Sequence, residues 1–224
     1  MLMTSIAVCV ASVCVVMGAA PPEKQPGLID GLKKDAKEKI EQSTKDAKNQ
    51  AQNAVDEMNE MARQWMETSS PGEGHKALEA FVGTWSGEAE FWMDPAAPSE
   101  KSTGTMVSSW VLGGRWVRQD WAGSMMGQPF TGVGYFGYDN VKKKYIGTWM
   151  DSMSTGLLVQ EGTYDEKTKS FTMIGTMQDP MGNSIKVRHV AKVESADKNT
   201  FEMYHTGPDG KENLAGRIVY TRKK

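Results

Sequence analysis

Trp149 and Asp151 are two residues apart, which on an extended backbone sets an indole and a carboxylate on the same side. A carboxylate sheltered by an indole is a group for acid–base work or for orienting a polar head group. Its ordinary structural use is an ion pair with an inward arginine, and Arg115 is the arginine considered for it. His189 stands among Ile185, Val187, Ala191 and Val193 on one face of an alternating stretch. An imidazole there is either a hydrogen-bonded core group or a functional one, an acid–base residue or an axial haem ligand. The sixteen methionines are many for this length, and Met125, Met126, Met150, Met153, Met177 and Met181 fall near strand ends. Thioethers are soft ligands suited to Cu(I), and equally they are adaptable apolar walls. Arg115, Trp149, Asp151, Met153 and His189 are therefore the candidate ligand-binding residues.

Other chemistry has less to stand on. There is no His-x-His, no cysteine pair and no Asp-rich loop, so zinc and calcium sites have no motif. Gly132-x-Gly134 lies inside a strand and opens no helix, which removes it as a nucleotide loop. No nucleophile elbow is present. A formal net charge of -2 gives no field to attract nucleic acid. No residue is assigned as catalytic.

The elements that must position these residues lie in the C-terminal two thirds, where six of the seven tryptophans fall. After a short helical turn over 75–82, strand signals recur from Trp85 to Arg222, broken by Asp-Pro, Gly-Gly, Asp-Asn and Gly-Pro-Asp-Gly turns. About ten strands with hairpin-length joints and no intervening helices predict an antiparallel, up-and-down β-barrel, because closure removes the open edges. The alternation places Trp85, Gly87, Ala89, Phe91 and Met93 inside, with Tyr145, Gly147, Trp149, Asp151 and Met153, and with Phe201, Met203 and His205. Interior glycines at 87, 104, 132, 134, 147 and 175 predict strong curvature or close approach. The many bulky Trp and Met side chains predict a rather full interior.

Before the barrel, residues 21–72 read as a Pro-containing linker and one long, polar, Ala-rich helix over 28–68. Ile40, Ala47, Ala51, Ala54, Met58, Met61 and Trp65 recur on one stripe, and Asp30/Lys34, Asp35/Lys39 and Glu41/Lys45 stand one turn apart. The helix is a solvated tether, a weak self-associating coiled coil or a surface that docks on a membrane. At the start, Ile6 to Ala20 is apolar and closes with Gly18-Ala19-Ala20. That length, about 15 residues, is short of the about 20 a span needs, and predicts an export signal cleaved near Ala20, although no Lys or Arg precedes it. The alternative is an uncleaved anchor. Cys9 and Cys14 both fall within it, so the exported chain would carry no thiol. The domain expectation is thus a signal peptide at 1–20, a linker and helix at 21–72, and a barrel at 73–224, secreted or periplasmic.

Leu78-x-x-Phe81-Val82-Gly83-Thr84-Trp85-x-Gly87 resembles the opening of calycin barrels, which include lipocalins and nitrobindin-like proteins. Gly113-Gly114-Arg115-Trp116, Gly127-x-Pro129-Phe130, Tyr145-x-Gly147-Thr148-Trp149-x-Asp151-Ser152-Met153 and Glu161-Gly162-x-Tyr164-Asp165 resemble, in order and spacing, the bacterial family known as domain of unknown function 1579, over about 74–222. The resemblance implies a lipocalin-like barrel, no assigned activity, and a cation from the last strand, Arg217 or Arg222, stacked on Trp85. The nitrobindin-like side of it implies haem on His189 as an alternative to a barrel without cofactor. The function expected is a non-enzymatic barrel that takes a small, largely apolar or amphipathic ligand. The alternatives are an enzyme using Asp151 or His189 as acid–base and an envelope adaptor acting through the helix.

Overall fold

The computed structural model describes residues 26–94, 96–179, 181–207 and 209–224. The expected signal peptide at 1–20 lies outside the described residues. The chain divides into two units, with the boundary between Ala62 and Arg63. The first is made of helix α1, Pro26–Ser69, which runs on into the second unit for its last turns. It matches the predicted helix in place and length. Its apolar residues, Ile40, Met58, Met61 and Trp65 among them, are exposed. Its exposed and hence weak ion pairs include Lys34–Glu38, Lys37–Glu41 and Arg63–Glu67, and the first two use partners one turn away from those the spacing suggested.

The second unit is an antiparallel barrel of ten strands, closed by pairing of the first with the last. A one-turn helix α2, Glu73–Lys76, and a 3₁₀ turn, Ala77–Phe81, lead into it where one helical turn was predicted. The strands are β1 Gly83–Phe91, β2 Glu100–Val111, β3 Trp116–Met125, β4 Gln128–Asp139, β5 Lys144–Asp151, β6 Leu158–Asp165, β7 Ser170–Gln178, β8 Ser184–Ser195, β9 Lys198–Thr206 and β10 Glu212–Arg222. Every joint is a hairpin, so neighbours in sequence are neighbours in space. The predicted alternation holds along β1, β5, β8 and β9, with corrections at two strand ends. Met93 and Met153 lie beyond β1 and β5, where the pleat no longer turns a side chain inward, and both are exposed.

One end of the barrel is stoppered. Leu78 and Phe81 from the 3₁₀ turn are buried among Val117, Phe136, Tyr145 and Phe171, a gain of roughly 1.5–3 kcal/mol for each large apolar side chain. Tyr145 Oη donates to the Gly74 carbonyl at 3.0 Å. Trp85 Nε1 donates to the Phe81 carbonyl at 2.8 Å, and the Arg222 guanidinium lies 4.1 Å over the Trp85 ring. Arg222 therefore supplies the stacked cation, while Arg217 points outward to Glu202 across β9. Arg222 also donates to the carbonyls of Val82 and Ala196, which ties the stopper, the last strand and the β8–β9 turn together.

Candidate functional site

Above the stopper the barrel is hollow. The cavity has a volume of about 1390 Å³, with Trp85, Trp121, Phe130, Trp149, Phe201 and Ile218 among its walls. The predicted full interior does not form, and the glycines explain why. A Cβ at Gly104 or Gly87 would lie 2.3 or 2.5 Å from the Trp121 ring, and one at Gly132 would lie 2.2 Å from the Trp149 ring. With hydrogen in place of a methyl, each indole lies flat against the sheet and takes little width from the lumen. Bulk in the sequence thus becomes wall rather than filling.

The register sets His189 directly between Met173 on β7 and Met203 on β9. Both thioether chains lean away from it. Met173 runs over Gly162 and Gly147 toward β6 and β5, and Met203 reaches over Gly216 on β10. No soft-metal cluster is assembled there. Among the described residues, no three His, Cys, Asp or Glu side chains come together as a metal site either.

His189 is buried against the Phe201 ring, at 5.1 Å between centroids, and makes no hydrogen bond to another described residue. Burial, reinforced by His205 on the neighbouring strand, holds its pKa down to about 4, so the imidazole is neutral at pH 7. Burial lowers His205 as well. The hydroxyls of Ser102 and Ser108, on the inward face of β2, are buried with no hydrogen-bond partner. Such groups cost free energy unless a ligand or water meets them.

Trp149, Asp151 and His189 line this cavity, as the alternation suggested, and Met153, beyond the end of β5, stands at its rim. Arg115 does not. It precedes β3 at the stoppered end, and its guanidinium donates to the carbonyls of Ser69 and Leu112. Asn140 in the neighbouring β4–β5 turn donates to the Thr68 and Ser70 carbonyls. Together these side chains satisfy the open carbonyls at the end of α1, which have no intrahelical partner. Asp151 closes β5 at the other end of the barrel, so the expected Arg115–Asp151 pair is ruled out by distance along the strands. Its carboxylate instead accepts from Trp149 Nε1 at 3.1 Å and from the Met153 amide at 3.0 Å. Both oxygens are engaged, and β6 and β7 separate Asp151 from His189. The two do not form an acid–base pair.

Trp121, Ser102 and Ser108 escaped sequence reasoning. Trp121 shared a face with Gly123, which was a usable signal. Ser102, Gly104, Met106 and Ser108 alternate with Thr103, Thr105 and Val107, so neither face of β2 was apolar enough to be chosen.

Comparison with known proteins adds the family and the fold. The family described as "Protein of unknown function (DUF1579)" matches residues 70–222, more than half of the chain. No curated protein matches the chain. Among solved structures, that of Rv2717c from M. tuberculosis is similar with a TM-score of 0.53 at 13% identity, covering 69% of this chain and 100% of that one. The S-type phycobiliprotein lyase CPES from Guillardia theta gives a TM-score of 0.48 at 16% identity, covering 69% and 99%.

Proposed function

The chain belongs to the DUF1579 family of proteins of unknown function, and from that footing we propose that it binds a small, largely apolar molecule inside the barrel. The observation that carries this reading is the hollow, indole-walled cavity of about 1390 Å³, more than the roughly 300–1,000 Å³ of ordinary ligand sites. The Ser102 and Ser108 hydroxyls and the His189 and His205 imidazoles are polar groups without partners that would orient the ligand. Trp149, Asp151 and Met153 stand on the way in, at the open end.

The test is titration with an environment-sensitive apolar dye, read both by dye emission and by tryptophan quenching. Saturable binding at about one dye per chain is expected. Gly132→Leu and Gly104→Leu, which push the indoles into the lumen, should weaken it at least tenfold. Binding that survives both, or no saturable binding by dyes of several shapes, refutes the reading. We further propose that residues 1–20 are an export signal and that the barrel works outside the cytoplasm; N-terminal sequencing of the mature protein tests this.

A second reading is haem, favoured by one observation: His189 is neutral, partnerless and faces the cavity. The residues fit the group to that extent, since haem iron takes a neutral imidazole and the indole walls suit a flat macrocycle. Bound haem would supply an iron that binds or activates small molecules, with His189 as its protein ligand. A Soret band that appears on adding haem and is lost in His189→Phe supports it. An unchanged spectrum in that variant removes it.

A further inference from the structure

The two ends of the barrel differ in chemistry, and the difference lies in the turns. In an up-and-down barrel, the β1–β2, β3–β4, β5–β6, β7–β8 and β9–β10 loops all surround the same opening, here the mouth of the cavity. Four of these five loops carry an exposed methionine: Met93 at 77% exposure, Met126 at 48%, Met153 at 53% and Met181 at 85%. Leu157, at 57%, joins them in the β5–β6 loop.

Some of these positions are enforced by backbone geometry. Met126-Gly127 is a two-residue hairpin turn with φ of 49° and 72°, which sets Met126 at the tip of the β3–β4 hairpin. A methionine is a poor choice for a left-handed position on conformational grounds alone, so its side chain is what the turn presents. The β7–β8 loop is folded on Asp179, whose carboxylate accepts from the Met181 and Asn183 amides and the Asn183 side chain. Met181 stands at its crest.

Charge is sparse in the loops of this rim, and Lys101, which stands beside the β1–β2 loop at the mouth, pairs with Glu90. Across residues 92–99, 126–127, 152–157, 179–183 and 207–211 the one cation is Lys211, which pairs with Asp209. Asp94 and Asp179 turn their carboxylates into their own loops. The turns at the stoppered end, over 112–115, 140–143, 166–169 and 196–197, hold Arg115, Lys142, Lys143, Lys167 and Lys169 with Glu166 and Asp197. Leu112 and Val141 are exposed at the stoppered end as well, but among these cations. The chain thus keeps one end basic and leaves the apolar groups of the other with few cations around them, although both are built of hairpin turns that water would accept equally well.

We propose that the methionine rim seats the barrel, mouth down, on the surface of a zwitterionic lipid bilayer. A protein interface concentrates its binding in a desolvated central cluster with a polar rim. Here the arrangement is inverted, because the centre of the patch is an opening and the apolar groups form the ring. A bilayer needs no central anchor, accepts unbranched apolar side chains from separate loops, and leaves the opening facing a reservoir of apolar molecules. The lack of basic residues selects against anionic headgroups as the attraction. The seating stands on the rim alone and does not require that the cavity take a ligand.

The methionines are their own probes. The full chain is mixed with phosphatidylcholine vesicles, exposed briefly to hydrogen peroxide and mapped by mass spectrometry, since an accessible thioether gains one oxygen and a lipid-covered one gains it slowly. Vesicles should slow oxidation at Met93, Met126, Met153 and Met181 at least fivefold, and leave Met58 and Met61 on α1 and Met150 on the barrel's outer face unchanged. Met93→Gln/Met126→Gln/Met153→Gln/Met181→Gln should lower vesicle partitioning about tenfold, with 0.5 M salt making little difference to the native chain. Rim methionines oxidised at the same rate with and without vesicles overturn the proposal, even if the chain attaches through another segment. Protection confined to Met58 and Met61 moves the contact to the helix and overturns it too. Rim protection that rises with protein concentration in the absence of lipid shows a second copy as the occupant instead.

Discussion

His189 should make the barrel acid-labile, and the size of the effect can be worked out. Burial first, and the neighbouring His205 second, hold its pKa at about 4, against 6.5 for a histidine in water. At 1.36 kcal/mol per unit of pH that difference is worth about 3 kcal/mol. Above pH 6.5 the imidazole is neutral both folded and unfolded, so it costs nothing. As pH falls from 6.5 the unfolded chain takes up the proton and the folded chain does not, and stability drops until the folded group titrates near pH 4. The assay is urea unfolding between pH 7.5 and 4, for the native chain and for His189→Phe, a flat apolar replacement that keeps the contact with Phe201. The variant should be within about 1 kcal/mol of the native chain at pH 7.5, because His189 has no hydrogen bond to lose. At pH 4 it should be the more stable by about 2–3 kcal/mol relative to that starting point. Asp139, Asp165, Asp179 and Glu212 are held below the carboxylate range by hydrogen bonds and contribute acid lability of their own. Their share is common to both proteins and cancels in the comparison. Parallel stability curves across this window would refute the reasoning, since His189 would then have to be wet or hydrogen-bonded in the folded state.

Other consequences are simpler to state. Arg222→Met removes the cation over Trp85 and two bonds to carbonyls, and should cost roughly 2–4 kcal/mol in denaturant unfolding, whereas Arg217→Met, on the exposed face, should cost less than about 1. Gly104→Ala forces a methyl against the Trp121 ring and should cost about 1–3 kcal/mol with a change in tryptophan emission, whereas Gly127→Asn at the open turn should cost under about 1, because Asn tolerates that backbone. Asn140→Ala with Arg115→Ala releases the Thr68, Ser69 and Ser70 carbonyls; amide exchange over 66–72 should speed up with little change in the barrel's midpoint.

The fold was legible because period-two patterning is local: Trp85-x-Gly87-x-Ala89 and Val187-x-His189-x-Ala191 state their inward faces without help from the rest of the chain. The site was legible only where it lay on such a strand, as with Trp149, Asp151 and His189. Arg115 was misjudged because its partner was a backbone carbonyl at Ser69, 46 residues away, and a carbonyl carries no signature in the sequence. Met93 and Met153 were placed inside because alternation was continued past the ends of β1 and β5, which are set by turn geometry rather than by pattern. The emptiness of the lumen was the least readable feature. It depends on Gly104 lying beside Trp121 across two strands, a coincidence of register between segments 17 residues apart, so volume counted along the chain pointed the wrong way.

That coincidence also separates what holds this barrel together from what it is free to bind. The stopper end is overdetermined: Trp85, Arg222, Tyr145 and the 3₁₀ turn share hydrogen bonds, ring contacts and a buried cluster. The cavity, by contrast, keeps the Ser102 and Ser108 hydroxyls unsatisfied, and its Trp121 and Trp149 indoles lie flat only because glycines lie beneath them. A chain under no demand but folding would gain by filling that space, at roughly 25 cal/mol for each Å² of apolar surface removed from water, and by replacing Ser108 and His189 with apolar residues. Stability spread that unevenly implies that mouth and wall substitutions, those of the glycines under the indoles excepted, will alter binding with little effect on unfolding, and stopper substitutions the reverse. A cavity-wall variant such as Ser108→Ala that unfolds like the native chain but releases its dye more readily would be the signature of a lumen maintained for an occupant.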